Sequence, residues 1–184
     1  MGTDDPFDDL LAAARTGAEW AWTRIYQELA PKVTGYLAGH GAADPENLTG
    51  EVFLQVVRGL PGFSGGERDF AAWTFTIAHR RMVDQLRRQS RRPVEVADAE
   101  AGDRGSGGAV DEEVEARLAE ISVRRAIDEL PADQRSVMLL RIIGDLTIEE
   151  TARAVGKRPG AVKALQRRAL RRLERAYPSG RPER

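Results

Sequence analysis

The sequence predicts an all-α protein made of two small helical domains joined by a flexible acidic linker. Its 184 residues are 41% hydrophobic but only 6% aromatic, which suits small helical bundles better than packed sheets. Apolar residues recur at three- and four-residue spacings along most of the chain, as on the buried face of a helix. This periodicity is missing between residues 94 and 113, where four glycines stand among acidic residues. We therefore expect domains at 1–93 and 119–177, a linker at 94–118 and a disordered tail at 178–184.

The first domain is expected to consist of long amphipathic helices. The apolar spacing predicts helix over residues 8–39, with a break near Gly17. Asp44-Pro45-Glu46 opens a second helix, because Asp is a favoured N-cap and Pro suits the first helical position. A third helix follows the glycine-rich loop at 62–69 and continues to Arg92, where Pro93 stops it. The apolar residues assigned to the inner faces of these helices are Leu10, Leu11, Trp20, Trp22, Ile25, Tyr26, Leu29, Val33, Tyr36, Leu37, Leu48, Val52, Phe53, Val56, Val57, Phe75, Ala78, Met82 and Leu86.

The second domain is expected to end in a helix-turn-helix. Two helices are predicted over residues 114–130 and 131–144. Thr147-Ile148-Glu149-Glu150 then has the spacing of a capping box, in which Thr147 and Glu150 satisfy each other's backbone N–H groups. A short helix, a turn at Gly156 and a basic helix beginning near Pro159 complete the motif.

Formal charge alternates along the chain in four blocks that nearly cancel. The net charge is −6 over residues 1–70, +5 over 71–93, −7 over 94–120 and +7 over 121–184, while the whole chain carries −1. Two basic blocks separated by an acidic one indicate two surfaces that bind a polyanion, joined by a segment that avoids it.

Composition excludes several kinds of site. The chain has no cysteine, which rules out disulfides, thiolate metal sites and cysteine nucleophiles. His40 and His79 lie far apart without a carboxylate pattern around them, so we expect no metal, no cofactor and no small-molecule substrate. The acidic N-terminus has no signal-peptide core, and no apolar run approaches the ~18 residues of a membrane span. We expect a cytoplasmic protein without membrane insertion.

The last predicted helix has the composition of a DNA-recognition helix. Residues 153–175 contain nine lysines and arginines against one acidic residue, Glu174. A basic run is often only a solvated helix face, but arginines bind phosphates and guanine edges bidentately, and the second helix of such a motif enters the major groove. The side chains expected to reach bases are Arg158, Lys163, Ala164 and Arg167, and those expected to contact phosphates are Arg168, Arg171 and Arg172.

The third helix predicts a second nucleic-acid surface. Its end, residues 87–92, is basic, and the aromatic residues Phe63, Phe70, Trp73 and Phe75 precede it. Cations beside aromatic rings suit an unpaired strand, since charges hold the backbone while rings or pockets accept flipped bases. The glycine-rich loop at 62–69 is the better candidate for such a pocket, whereas Trp73 and Phe75 are expected mainly in the core.

These segments resemble the sigma factors of bacterial RNA polymerase. Residues 44–56, DPENLTGEVFLQV, resemble the second conserved region, and PGFSG at 61–65 with FAAWTFTIAHRRMVDQLRR at 70–88 resembles its melting and promoter-reading segments. LPADQR at 130–135 through GAVKALQRRAL at 160–170 resembles the fourth region. The likeness extends from about residue 18 to 176 and has the domain set of extracytoplasmic-function members, which keep only these two regions.

The resemblance implies an alternative sigma factor that binds core RNA polymerase, at the β′ clamp helices and the β flap, and directs promoter-specific initiation. It implies recognition of the minus-thirty-five and minus-ten elements of promoter DNA, help in promoter melting and, as a hypothesis, control by an anti-sigma factor. The residues that it assigns to core polymerase are Asp44, Glu46, Asn47, Leu48, Glu51 and Gln55. Those that it assigns to the minus-ten element are Phe63, Ser64, Asp69, Trp73, Thr76, Arg80, Arg81, Arg87 and Arg88. Those that it assigns to the minus-thirty-five element are Arg158, Lys163, Ala164, Arg167, Arg168 and Arg171.

Two other classes of protein fit parts of the sequence. A stand-alone helix-turn-helix regulator explains residues 131–176 but leaves residues 18–92 without a role. A nucleic-acid-processing enzyme could use Glu46 with Glu51, or Asp69 with Asp84, as metal ligands. However, no cysteine, paired histidines or phosphate-binding loop completes such a site, so we expect no catalytic residue.

Overall fold

Every regular element is helical in the part of the chain that the computed structural model describes, residues 6–91 and 124–176. The N-terminal domain contains α1 (Pro6–Arg15), α2 (Glu19–Gly39), α3 (Pro45–Gly59), a 3₁₀ turn (Leu60–Gly62) and α4 (Glu67–Arg91). The C-terminal domain contains a helical segment at 124–128, α5 (Ala132–Ile142), α6 (Ile148–Val155) and α7 (Pro159–Ala176). The predicted linker at 94–118, the tail at 178–184 and the first part of the predicted helix at 114–130 lie outside the described residues.

The helix ends follow the local signals read from the sequence. Gly17 adopts a φ of +82° between α1 and α2, which confirms the predicted break. The Asp44 side chain accepts a hydrogen bond from the Asn47 N–H at 2.9 Å, and Pro45 occupies the first turn of α3.

The helix-turn-helix is confirmed in detail. Both capping-box bonds at the start of α6 are present: the Thr147 N–H donates to Glu150 Oε2 at 2.6 Å, and the Glu150 N–H donates to the Thr147 hydroxyl at 3.2 Å. Gly156 ends α6 in the left-handed conformation, with φ 65° and ψ 34°. The chain then enters α7 at Pro159.

The core of the N-terminal domain lies where α2, α3 and α4 meet. Val33, Val52, Val56, Phe75 and Ala78 are fully buried there, and α1 covers one side of it. The buried placement of Phe75 confirms the sequence prediction.

Four residues that were assigned to inner faces are exposed, so their assignment was wrong. Trp20 is 58% exposed and Tyr26 47%, while Val57 and Leu86 are also exposed. Successive residues of a helix point about 100° apart, so Val57 cannot share the direction of the buried Val56. Apolar residues at the margin of a helical stripe therefore line the surface instead of the core.

The C-terminal domain packs directly against the N-terminal domain. Leu139, Leu140, Leu146 and Ala154 belong to the same buried core as α2 and α4. The Leu139 side chain lies so close to Gly39 that a Cβ added at Gly39 would meet it at 2.9 Å. Smaller clusters within the C-terminal domain hold α7 against α5 and α6 through Val137, Ala152, Val162, Leu165, Leu130, Met138 and Ala169.

Candidate nucleic-acid interfaces

Helix α7 has one buried apolar face and one exposed basic face. Val162, Leu165 and Ala169 are buried against the rest of the domain. The residues predicted to read the upstream promoter element lie on or beside the other face: Arg158, Lys163, Arg167, Arg168 and Arg171 are exposed, and Ala164 is half-buried.

These cations are not neutralised within the part of the chain that the structure describes. None of Arg158, Lys163, Arg167 or Arg171 forms a salt bridge with the described carboxylates, and Arg168 donates only to the Ala164 carbonyl at 3.3 Å. A helix that carries unpaired arginines on a single face is equipped to bind phosphates and base edges.

The residues predicted on α4 fall into two groups. Arg80, Arg87 and Arg88 are exposed, and Arg87 also faces Asp84 at 3.9 Å. Thr76 is half-buried, and its hydroxyl donates to the Ala72 carbonyl at 2.8 Å.

Arg81 lies between α4 and α3. Its Nη1 is 3.3 Å from Glu51 Oε2. With the Gln55 amide oxygen turned toward the guanidinium, Arg81 donates to it from Nη2 at 2.9 Å and from Nε at 3.2 Å. Arg81, which is predicted to bind DNA, therefore contacts Glu51 and Gln55, which are predicted to bind core polymerase.

An aromatic cluster supports the loop at 63–66, between the 3₁₀ turn and α4. The Phe63 ring stacks on Trp73 with centroids 5.1 Å apart and meets Phe70 edge-on at 5.3 Å. Phe63 and Trp73 are half-buried and Phe70 is buried, whereas Ser64 and Asp69 are exposed. The rings therefore support an exposed loop from beneath, and the loop itself is accessible to solvent.

The α3 surface combines polar and apolar residues. Glu46 and Asn47 are exposed, Glu51 and Gln55 are half-buried, Asp44 serves as the helix cap, and Leu48 is 7% exposed and belongs to the core. Beside them is a shallow groove lined by the exposed side chains of Tyr26, Leu54 and Val57, none of which the sequence predicts as a contact with polymerase. An exposed apolar patch rimmed by polar residues is typical of a protein-binding surface.

Ion pairs connect the start of α4 to the C-terminal domain. Arg68 lies 3.7 Å from Glu150 and donates to the Asp145 carbonyl at 3.4 Å, and Asp69 lies 3.8 Å from Arg153. Burial acts to raise the pKa of Glu150, but bonds from Thr147 and the charge of Arg68 outweigh it and hold the pKa below its usual value. Asp69, predicted to face the minus-ten element, thus touches the other domain in this arrangement.

Both histidines lie at the contact between the domains. They line a cavity of about 400 Å³ together with Asp133 and Ser136 of α5. Tyr36 Oη and His79 Nδ1 are 2.8 Å apart, and the His40 ring meets Tyr36 edge-on at 4.8 Å. In residues 6–91 and 124–176, no group of three or more histidine or acidic side chains could hold a metal ion, and no helix is long and apolar enough to span a membrane.

Comparison with known proteins identifies both domains. Residues 25–92 match the family model for sigma-70 region 2, and residues 120–173 match the model for sigma-70 region 4. The ECF RNA polymerase sigma factor BldN of Streptomyces coelicolor is 34% identical over 92% of this chain, which spans 65% of that relative. SigD of Mycobacterium tuberculosis is 30% identical over 91% of this chain and 82% of its own length.

The fold also agrees with solved structures. A structure of CnrH in complex with the cytosolic domain of CnrY matches with a TM-score of 0.67 and 21% identity, covering 96% of this chain and 99% of the other. The sigma factor RpoE of Bartonella quintana, solved with the anti-sigma factor NepR, matches with a TM-score of 0.65 and 20% identity, covering 87% and 98%. From the two region models and the relatives of 30% identity or more, we conclude that the chain belongs to the sigma-70 family and is an extracytoplasmic-function sigma factor.

Proposed function

We propose that α7 of this sigma factor binds the upstream promoter element. Helix α4 and the loop at 63–66 would bind the melted element, and the α3 surface would bind core polymerase. The observation that carries the proposal is the exposed basic face of α7, whose cations have no acidic partner among the described residues. The proposed domain boundaries are residues 1–93 and 119–177.

The upstream contact would be made in the major groove. Lys163, Ala164 and Arg167 lie in the first turns of α7, which approach base edges in a helix-turn-helix, and Arg171 lies one turn further, where phosphates are in reach. The buried opposite face fixes the rotation of α7, so its basic face must point away from the domain.

The downstream contact would be made with an unpaired strand. Arg80 and Arg88 are exposed on α4 for the backbone, and Ser64 is exposed in the loop above the aromatic rings. Bases that leave the stack need a pocket, and the backbone of their strand needs a row of positive charges. This surface offers both.

The polymerase contact would use the α3 surface. Tyr26, Leu54 and Val57 supply exposed apolar area, and Glu46 and Asn47 supply its polar rim. In this proposal the β′ clamp helices of the polymerase bind this face, and the β flap binds the C-terminal domain. As an initiation factor this chain would act without catalytic residues of its own, in the cytoplasm.

An anti-sigma factor is the proposed regulatory partner. The RpoE structure contains an anti-sigma factor bound to a chain of the same fold, and the present chain exposes an apolar patch of the kind that binds a protein partner. A partner that covers Tyr26, Leu54 and Val57 would exclude polymerase from the same residues.

The test is transcription with the full chain and purified core polymerase on a pool of genomic fragments. We expect run-off products only when both are present, and Arg167→Glu should weaken selection of the upstream element. Arg175→Glu, the same charge change at the far end of α7, is the matched control. A chain that binds duplex DNA tightly alone and gives no core-dependent product would instead be a helix-turn-helix regulator.

A second variant tests the polymerase surface. Leu54→Glu places a charge in the exposed apolar groove, so it should weaken core binding while leaving the DNA affinity of α7 unchanged. The matched control is Thr23→Glu, at an exposed position of α2 outside that groove. Equal core affinity of the two variants would remove the α3 surface from the proposal.

A further inference from the structure

Helix α1 supports the loop at 63–66, although it precedes the residues that match the family model. The match to region 2 begins at residue 25, whereas α1 spans Pro6–Arg15. Leu10, Leu11 and Ala14 bury one face of α1, and Trp22 Nε1 donates to the Ala14 carbonyl at 3.0 Å. The helix is therefore fixed on the N-terminal domain.

Two contacts connect α1 to the loop region. At its start, Phe7 lies against Phe70 with ring centroids 5.8 Å apart, and Phe70 in turn contacts Phe63. At its end, Arg15 Nη2 donates a hydrogen bond to the Phe63 carbonyl at 2.8 Å. Phe63 is thus held at two points: its ring packs on Phe70, and its carbonyl accepts the hydrogen bond from Arg15.

The bond from Arg15 also sets the direction of the next backbone donor. The Phe63–Ser64 peptide unit is planar and trans, so its carbonyl and N–H point in opposite directions. Holding the Phe63 oxygen toward Arg15 therefore turns the Ser64 N–H away from α1. That N–H has no hydrogen-bond partner among the described residues, and Ser64 is exposed.

The following residue keeps the loop in this shape. Gly65 has a φ of +146°, and a Cβ at that position would meet the Cβ of Asp69 at 2.8 Å and the Phe63 ring at 3.2 Å. Only glycine fits both the backbone conformation and the space. The loop is therefore a defined backbone shape that presents a free donor.

We propose that Arg15 is a positioning residue for base capture: it holds the Phe63 carbonyl so that the Ser64 N–H meets an acceptor on one unpaired base of the promoter. This rests on the proposed function, since it names which backbone group of the 63–66 loop reads the melted strand. Arg15 itself touches no base in this proposal.

The test uses the full chain with core polymerase and promoter fragments selected by the wild-type holoenzyme from a randomised pool. Each position of the melted segment is then varied in turn, and opening is followed by 2-aminopurine fluorescence. Arg15→Ala should lower the preference for one base at one position by about 5- to 10-fold, the value of one hydrogen bond. Arg15→Lys, which keeps a donor, should restore part of it.

The control is Arg24→Ala, which removes the same charge from an exposed position of α2 that makes no hydrogen bond among the described residues. It should leave base preference unchanged. Equal preference in Arg15→Ala and wild type, or a uniform loss at all positions with a lower melting temperature, would overturn the proposal. If the wild-type holoenzyme opens no fragment at all, the proposed function itself fails. That outcome differs from failure of the Arg15 proposal, in which the wild-type holoenzyme still opens the fragments.

Discussion

Acidification should release the C-terminal domain from the N-terminal domain through His40. This side chain is 6% exposed at the end of α2, and its Nε2 has no hydrogen-bond partner among the described residues. Burial, then the charges of His79 and Arg135, lower the pKa of His40 from 6.5 to about 4. Undocking removes α5 and Arg135 from the ring, so we expect it to hydrate His40 and return its pKa toward the usual value.

The size of the effect follows from the two pKa values. A base whose pKa is lowered in the docked state binds fewer protons there, so docking is favoured above pH 6.5 and is lost as the pH falls from 6.5 toward 4. If undocking restores the usual pKa, the docked form at pH 5 should be disfavoured by about 20-fold, or ~1.8 kcal/mol, relative to neutral pH.

His79 should add to the release. Burial lowers its pKa, Asp133 opposes that shift, and Lys157 and Arg80 reinforce it.

The chain allows two clean assays. It has only two histidines, so ring NMR signals give both pKa values directly. It has no cysteine, so Thr23→Cys and Glu174→Cys, both at exposed positions, can carry a dye pair that reports the distance between the domains. Energy transfer should fall between pH 7 and 5, and His40→Asn should remove most of the change. A His40 pKa near 6.5, or the same pH profile in His40→Asn, would refute this reasoning.

Three substitutions test the local structure by thermal unfolding and tryptophan fluorescence. Thr147→Ala removes the N-cap of α6 and should cost ~1 kcal/mol of stability, whereas a control such as Thr23→Ala should cost little. Gly59→Ala should cost ~1–3 kcal/mol and shift Trp73 emission, because a Cβ there would lie 2.7 Å from the indole. Gly50→Ala, on the same helix but with open space around it, should stabilise by ~0.5–1 kcal/mol. Equal stabilities of the two glycine variants would contradict the packing.

The sequence predicted the fold where local signals determine structure. The Asp44 cap, the break at Gly17 and the Thr147 capping box depend on residues within four positions of one another, so their spacing is visible in the chain. The exposed basic face of α7 was equally predictable, because helical periodicity separates Val162 and Leu165 from Lys163 and Arg167.

Contacts between distant segments could not be read in this way. Arg15 meets Phe63 across 48 positions, and Arg68 meets the Asp145 carbonyl across 77. Neither pair has a sequence spacing that identifies it. The placement of both histidines at one interface has the same origin, since tertiary packing brings α2, α4 and α5 together.

The exposed apolar groove was missed for a different reason. Tyr26 and Val57 fit the apolar pattern of a core helix, and only the packed structure shows that they lie outside the buried stripe. A signal was nevertheless available. Leu54 lies two residues from both Val52 and Val56 in α3, which is about 200° around the helix from each, so it must face away from the core that buries them.

The central claim is that two basic surfaces of one chain engage one promoter at two places, and site-directed DNA cleavage tests it most directly. Single-cysteine variants Ala161→Cys, at the exposed start of α7, and Ser64→Cys, in the loop, would each carry an iron chelate in the holoenzyme on a selected promoter. We predict two separate cleavage sites, upstream for α7 and in the melted segment for the loop, more than one helical turn of about 10 base pairs apart. Cleavage by both variants at a single site, or by neither, would contradict the account.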